Sequence, residues 1–149
     1  MTYLKQLIGG LSLAAVMTLP LAASAQAPEA PKDPVLAYRS AVMKGLGDNV
    51  AAMGAILQKR VPYDQNIALH LEGISLGAKA ALKGFETKMV GGTAKEEIWT
   101  NWKDFSERLT ALSTTADALA KKAKAGPVDP KEVMGALTCK SCHDTYRTK

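Results

Sequence analysis

The sequence predicts an all-α protein, an antiparallel up-down four-helix bundle, and three observations carry that expectation. The apolar content comes from 24 Ala and 17 Leu against 13 Val plus Ile, with aromatics at only 5%, which favours helix over strand. Apolar residues recur at steps of three and four in four separate stretches, and no stretch alternates with a period of two. Asp-Pro pairs and Gly or Pro breaks sit at the edges of those stretches, where helices start and stop. A chain of 149 residues is long enough for one domain around a single core.

Taken in order, residues 1–25 read as an export signal. Lys5 precedes the apolar run from Leu7 to Val16, Pro20 breaks it, and Ala23-Ser24-Ala25 forms a small-residue cleavage pattern. Cleavage after Ala25 leaves a mature chain of 124 residues, not membrane-bound, with a formal charge of +4 once Lys5 is gone. Residues 26–32 are expected to be a disordered leader, and residues 33–149 to form the domain.

Asp33-Pro34 supplies a cap and a first-turn proline for a helix running to about Lys59. Its inward seam is a heptad, with Leu36, Met43, Val50 and Leu57 at one position and Arg39, Leu46 and Met53 at the other. Gly45, Gly47 and Gly54 each cost that helix about 1 kcal/mol relative to Ala, so packing must hold it together, and they would permit a close partner. Pro62-Tyr63-Asp64 restarts the chain, and Ile67, Leu71, Ile74, Ala78, Ala81, Leu82 and Phe85 stripe a second helix. After Val90-Gly91-Gly92, Thr93 with Glu96 is a capping-box pair. It opens a long third helix whose inward positions are Ile98, Trp102, Phe105, Leu109, Leu112, Ala116, Leu119 and Ala123. Gly126-Pro127 ends that helix. Asp129-Pro130 starts a fourth, with Val133, Met134 and Leu137, which carries the chain to its end.

Both cysteines fall in Cys139-Lys140-Ser141-Cys142-His143, on this last helix. C-x-x-C-H is the pattern of covalent c-type haem attachment, in which two thiols add to two haem vinyl groups as thioethers and the adjacent imidazole ligates the iron. On a helix Cys139, Cys142 and His143 share one face, so the three attachments converge on one haem. A thioredoxin-like pair belongs in a βαβ setting that is missing here. A structural zinc site needs four ligands, and the other histidine, His70, is distant in sequence. A Cys139–Cys142 disulfide would close only a very small loop. Arg39 stands one turn before Met43 on the inward seam, where a buried guanidinium needs an anion. A haem propionate would supply one in bidentate geometry, the alternative being an arginine that reaches solvent along its alkyl stem. No basic stripe interleaved with aromatics points to nucleic acid, and no nucleophile–base signature or paired carboxylates point to an enzyme.

The sequence resembles the cytochrome c′ family, which includes both cytochrome c′ and cytochrome c-556. The resemblance rests on Tyr38-Arg39-Ser40-Ala41-Val42-Met43, Pro62-Tyr63-Asp64, Glu97-Ile98-Trp99 leading to Phe105, and the run from Cys139 to Arg147, together spanning the mature chain. It implies a four-helix bundle carrying one haem c. It also implies that Met43 lies on the distal side of the iron and Arg147 beside the haem on the His143 side. In cytochrome c-556 a methionine at this position ligates the iron; in cytochrome c′ an apolar side chain shields a position that binds nitric oxide. The expected function is a periplasmic one-electron carrier with low-spin iron held by His143 and Met43, a thioether being suited to raise the potential. The alternatives are a five-coordinate cytochrome c′ binding nitric oxide or other small gases, and a haem-free helical thiol or metal-binding module. Expected partners are redox proteins of the periplasm and small gases, for a monomer or a homodimer formed through the first two helices. A large apolar cofactor would also complete a core that is short of rings.

Overall fold

Both Asp-Pro starts are used as read. The Asp33 carboxylate accepts from the main-chain N–H groups of Val35 and Leu36 at 2.8 and 3.1 Å, and that of Asp129 from Lys131 at 2.9 Å. These are helix N-caps, each followed by a proline whose missing N–H costs nothing in the first turn. The computed structural model describes residues 33–148. They comprise α1 (Pro34–Leu57), a single 3-10 turn (Asp64–Asn66), α2 (Ile67–Phe85), α3 (Glu97–Thr100), α4 (Trp102–Ala125), α5 (Pro130–Ala136) and α6 (Cys139–Tyr146). The export signal and leader expected for residues 1–32 lie outside the described residues.

The architecture is all-α, a four-helix bundle in which the third and fourth arms are each divided in two. Among the described residues the only β pairing is two isolated bridges, Gly91 with Ala94 and Ala94 with Arg147. The central helix is α2, packed against both α1 and α4. Its predicted stripe faces inward: Leu71, Ile74 and Ala78 are essentially solvent-free. On α1 the second row of the seam lies deepest, with Arg39, Leu46 and Met53 buried and Leu36, Met43 and Val50 half-buried. Burial of each large aliphatic side chain stabilises the fold by about 1.5–3 kcal/mol.

Three expectations need correction. The third arm is not one helix opened by a Thr93–Glu96 capping box: α3 begins at Glu97 without any side-chain cap, and the carbonyl of Thr93 instead accepts from Thr148 N–H at 2.9 Å. Asn101, at φ −116° and ψ 41°, then separates α3 from α4. The fourth arm is also interrupted, because Leu137 takes extended backbone (φ −86°, ψ 93°) that turns its side chain into the core, where it is buried. Gly135 just before it weakens the helix there. Met134, read as an inward residue, is exposed.

Within the bundle, side chains of α1 pack closely against glycines of α2. A methyl group at Gly77 would stand 2.8 Å from Leu46 Cδ2, and one at Gly73 2.8 Å from Asn49 Oδ1, whereas Gly45 and Gly47 face open space. The two helices therefore approach along the α2 glycines, and Asn49 joins them through a 3.1 Å hydrogen bond to Nδ1 of half-buried His70.

Candidate functional site

The eight residues of α6 bring Cys139, Cys142 and His143 onto one face, as positions i, i+3 and i+4 require. Both thiols are free and half-buried. Each meets a different part of the core: Cys139 packs against the large aliphatic cluster of α1, α2 and α4, and Cys142 against a second, aromatic cluster. Phe85, Phe105 and Tyr146 form the spine of that second cluster, with ring centroids 5.3 and 5.2 Å apart in edge-to-face geometry. Met43 of α1 packs against both clusters. Met43 and the two thiols thus border the same pair of apolar surfaces.

The donor set fits a covalently held haem. Burial pushes both thiols above the ordinary cysteine range, which favours their neutral form, and no disulfide joins them. The His143 imidazole is held below its usual range by desolvation, then by the positive charge of Arg147, with Asp144 opposing. A neutral imidazole keeps the lone pair that iron requires. Arg147 itself is exposed, its main-chain N–H bonded to the carbonyl of His143 at 3.0 Å.

Arg39 of α1 reaches the end of α2 and the segment that follows it. It is buried as expected, at 4% exposure, but its partners are main-chain carbonyls. Nε donates to Gly84 at 2.7 Å, Nη1 to Met89 and Nη2 to Thr87, both at 2.6 Å. Its guanidinium carbon lies 4.7 Å from the centre of the Phe85 ring and 5.3 Å from that of Trp99, and Trp99 Nε1 donates to the Phe85 carbonyl at 2.9 Å. Gly84 lies in the last turn of α2, whose carbonyls carry partial negative charge, and Thr87 and Met89 lie in the segment after it; the three carbonyls together supply what burial of the cation demands.

One group escaped sequence reasoning altogether. The Tyr146 hydroxyl donates to Asp104 Oδ2 at 2.5 Å, and Arg108 Nε donates to the same oxygen at 2.7 Å. The available signals were the i,i+4 spacing of Asp104 and Arg108 and the place of Tyr146 as fourth member of the stripe 139, 142, 143, 146.

A four-helix bundle whose final helix carries C-x-x-C-H defines a class, the helical-bundle c-type cytochromes. Comparison with known proteins agrees. The family model for Cytochrome C' matches residues 34–147. Over 116 residues the chain is 35% identical to cytochrome c-556 of Agrobacterium tumefaciens, covering 74% of this chain and 92% of that protein. It is 30% identical to cytochrome c' of Pararhodospirillum photometricum, with coverage of 74% and 93%. Among solved structures it is similar to the nitric oxide complex of a leucine-to-alanine variant of cytochrome c prime from Alcaligenes xylosoxidans. That match has a TM-score of 0.69 and 25% identity, and covers 77% of this chain and 94% of that one. A carbon monoxide-bound variant of the same protein matches with a TM-score of 0.68. The chain belongs to the cytochrome c′ family and is a haem c protein. Among the described residues no helix is long and apolar enough to cross a membrane.

Proposed function

We propose that this protein is a periplasmic five-coordinate haem c protein that binds small gases such as nitric oxide. Cys139 and Cys142 hold the haem through thioethers, His143 is the iron ligand, and Met43 shields the opposite face. The observation that carries this reading is the likeness to cytochrome c prime structures solved with nitric oxide and with carbon monoxide, over nearly the whole of that chain. The packing of Met43 supports it, since its side chain already has apolar partners in both clusters and needs no metal to account for its place. Export rests on the signal pattern ending at Ala25. Arg147, beside His143, is proposed to lie at the haem edge on the imidazole side.

The second reading is the one-electron carrier with His143 and Met43 both on the iron, exchanging electrons with periplasmic redox proteins. It is favoured by the 35% identity to a cytochrome c-556. The two readings part on one spectrum. A high-spin ferric protein that binds carbon monoxide rapidly when reduced supports the gas-binding reading, and Met43→Ala then speeds binding without changing spin state. A low-spin spectrum that Met43→Ala converts to high spin overturns it in favour of the carrier. Absence of any haem absorption in protein made with an active attachment system would overturn both.

A further inference from the structure

Tyr146 is the only buried side chain on α6; the cysteines are half-buried and the remaining residues exposed. The helix that carries the haem-attachment motif is therefore seated on the bundle by one ring. Main-chain bonds fix the end of that helix. Lys95 N–H donates to the Tyr146 carbonyl at 3.0 Å, Thr148 N–H to Thr93 at 2.9 Å, and Lys95 Nζ to the Thr145 carbonyl at 3.2 Å. Bonds of this kind hold the position of a helix end but leave the helix free to roll about its axis. Roll is set by side chains gripped at a distance from that axis, and beside the apolar packing of the two thiols the one side-chain hydrogen bond from α6 to another helix among the described residues is the Tyr146 hydroxyl on Asp104.

Asp104 is itself held in place. It sits in the first turn of α4, where the helix dipole favours an anion, and Arg108 one turn later donates to the oxygen that Tyr146 uses. The arginine also lies over the tyrosine ring, 5.8 Å from its centre. His143 is three residues before Tyr146 and Cys142 four, so the ring, the imidazole and the second thiol share one face of α6.

We propose that Asp104, acting through the Tyr146 hydroxyl, is a positioning residue for the iron ligand: the Arg108–Asp104–Tyr146 chain fixes the roll of α6 and with it the plane of the His143 imidazole. This rests on the assignment of His143 as the iron ligand. It assigns Asp104 and Tyr146 the part that outer-shell partners play at metal-bound histidines, exerted through the helix instead of through the ring nitrogen.

The test uses haem-loaded protein carrying Tyr146→Phe, Asp104→Ala or Asp104→Asn. Two quantities are read: the iron–imidazole stretching band of the ferrous form, and the one-electron reduction equilibrium against a reference dye. Asp104 is exposed on an open cleft of about 520 Å³, so its replacement spares the core even if Tyr146→Phe folds poorly. Tyr146→Phe and Asp104→Ala should shift and broaden the band and move the equilibrium by about tenfold, the lower end of outer-shell effects on a metal ligand. Asp104→Asn keeps an oxygen that accepts from the phenol, and it should restore most of the wild-type band. An unchanged band in Asp104→Ala would overturn the proposal. So would Asp104→Asn behaving like Asp104→Ala, because that pattern belongs to a charge acting directly on the iron. If the band never appears because no haem is attached, or if His143→Ala leaves it intact, it is the ligand assignment that has failed.

Discussion

Replacing Arg39 by Met tests whether a carbonyl cage holds the upper end of the bundle. The change removes three hydrogen bonds of 2.6–2.7 Å and two cation–aromatic contacts, and it leaves the carbonyls of Gly84, Thr87 and Met89 without that donor. Hydrogen bonds to a charged group contribute about 1.5–3 kcal/mol each, against which stands the desolvation of a guanidinium that is only 4% exposed. Leaving a buried acceptor without its donor costs about 1–3 kcal/mol, so three acceptors, less the relieved desolvation of the guanidinium, give an expected net loss of about 3–5 kcal/mol. For a domain of this length it corresponds to a fall of roughly 10–20 °C in Tm. Arg39→Lys keeps the charge but offers one compact donor group in place of a planar fork, so it should recover less than half of the loss. Urea unfolding of the haem-loaded protein, followed by far-UV circular dichroism, gives the difference directly, with the m-value unchanged. A loss in Arg39→Met below about 1 kcal/mol would mean that water replaces the guanidinium at those carbonyls, and the cage would then have no structural weight.

Two further changes follow from the same geometry. Burial and the bond to Asp104 push the Tyr146 phenol up to about 12, so folding favours its protonated form. That contribution is complete below the unfolded tyrosine value near pH 10 and is lost as pH rises through the folded one. Thermal scans in alkali should show a fall in stability that Tyr146→Phe lacks; equal slopes in the two proteins would refute the link. Gly77→Ala places a methyl 2.8 Å from a Leu46 methyl and should destabilise by about 1–3 kcal/mol of overpacking, less the helix propensity gained. Gly47→Ala meets open space and should stabilise by about 0.5–1 kcal/mol. The opposite signs are the result to look for in paired urea titrations; the same sign in both would refute the assignment of α2 as the close-approach face.

What could be read in advance was whatever repeats along one helix or sits within one motif. The α1 seam, the Asp33 and Asp129 caps and the attachment sequence are all of that kind, because each is decided by neighbours a few residues away. The cage around Arg39 is not. Its acceptors are main-chain carbonyls 45–50 residues along the chain, and a carbonyl looks the same in every residue. Burial of the arginine was legible; its partner was not. The breaks at Asn101 and Leu137 were hidden for a related reason, since the apolar spacing runs through both and only tertiary packing turns Leu137 inward. The approach of α1 side chains to Gly73 and Gly77 of α2 was hidden too, since it depends on how two helices meet and not on spacing within either.

The division of the last arm at Leu137 and Thr138 has a kinetic side. The large interfaces of the bundle, α1 with α2 and α2 with α4, join neighbouring long helices and can form early. The contacts that seat α6 span much more chain, 42 residues from Tyr146 to Asp104 and 50 from Lys95 to Thr145. Each must close a long loop for a small return in buried surface. The helix bearing the attachment motif is therefore expected to dock after the long helices and to open before them, which amide hydrogen exchange would show as lower protection over residues 139–146. Opening there would uncover both half-buried thiols without separating the long helices from one another.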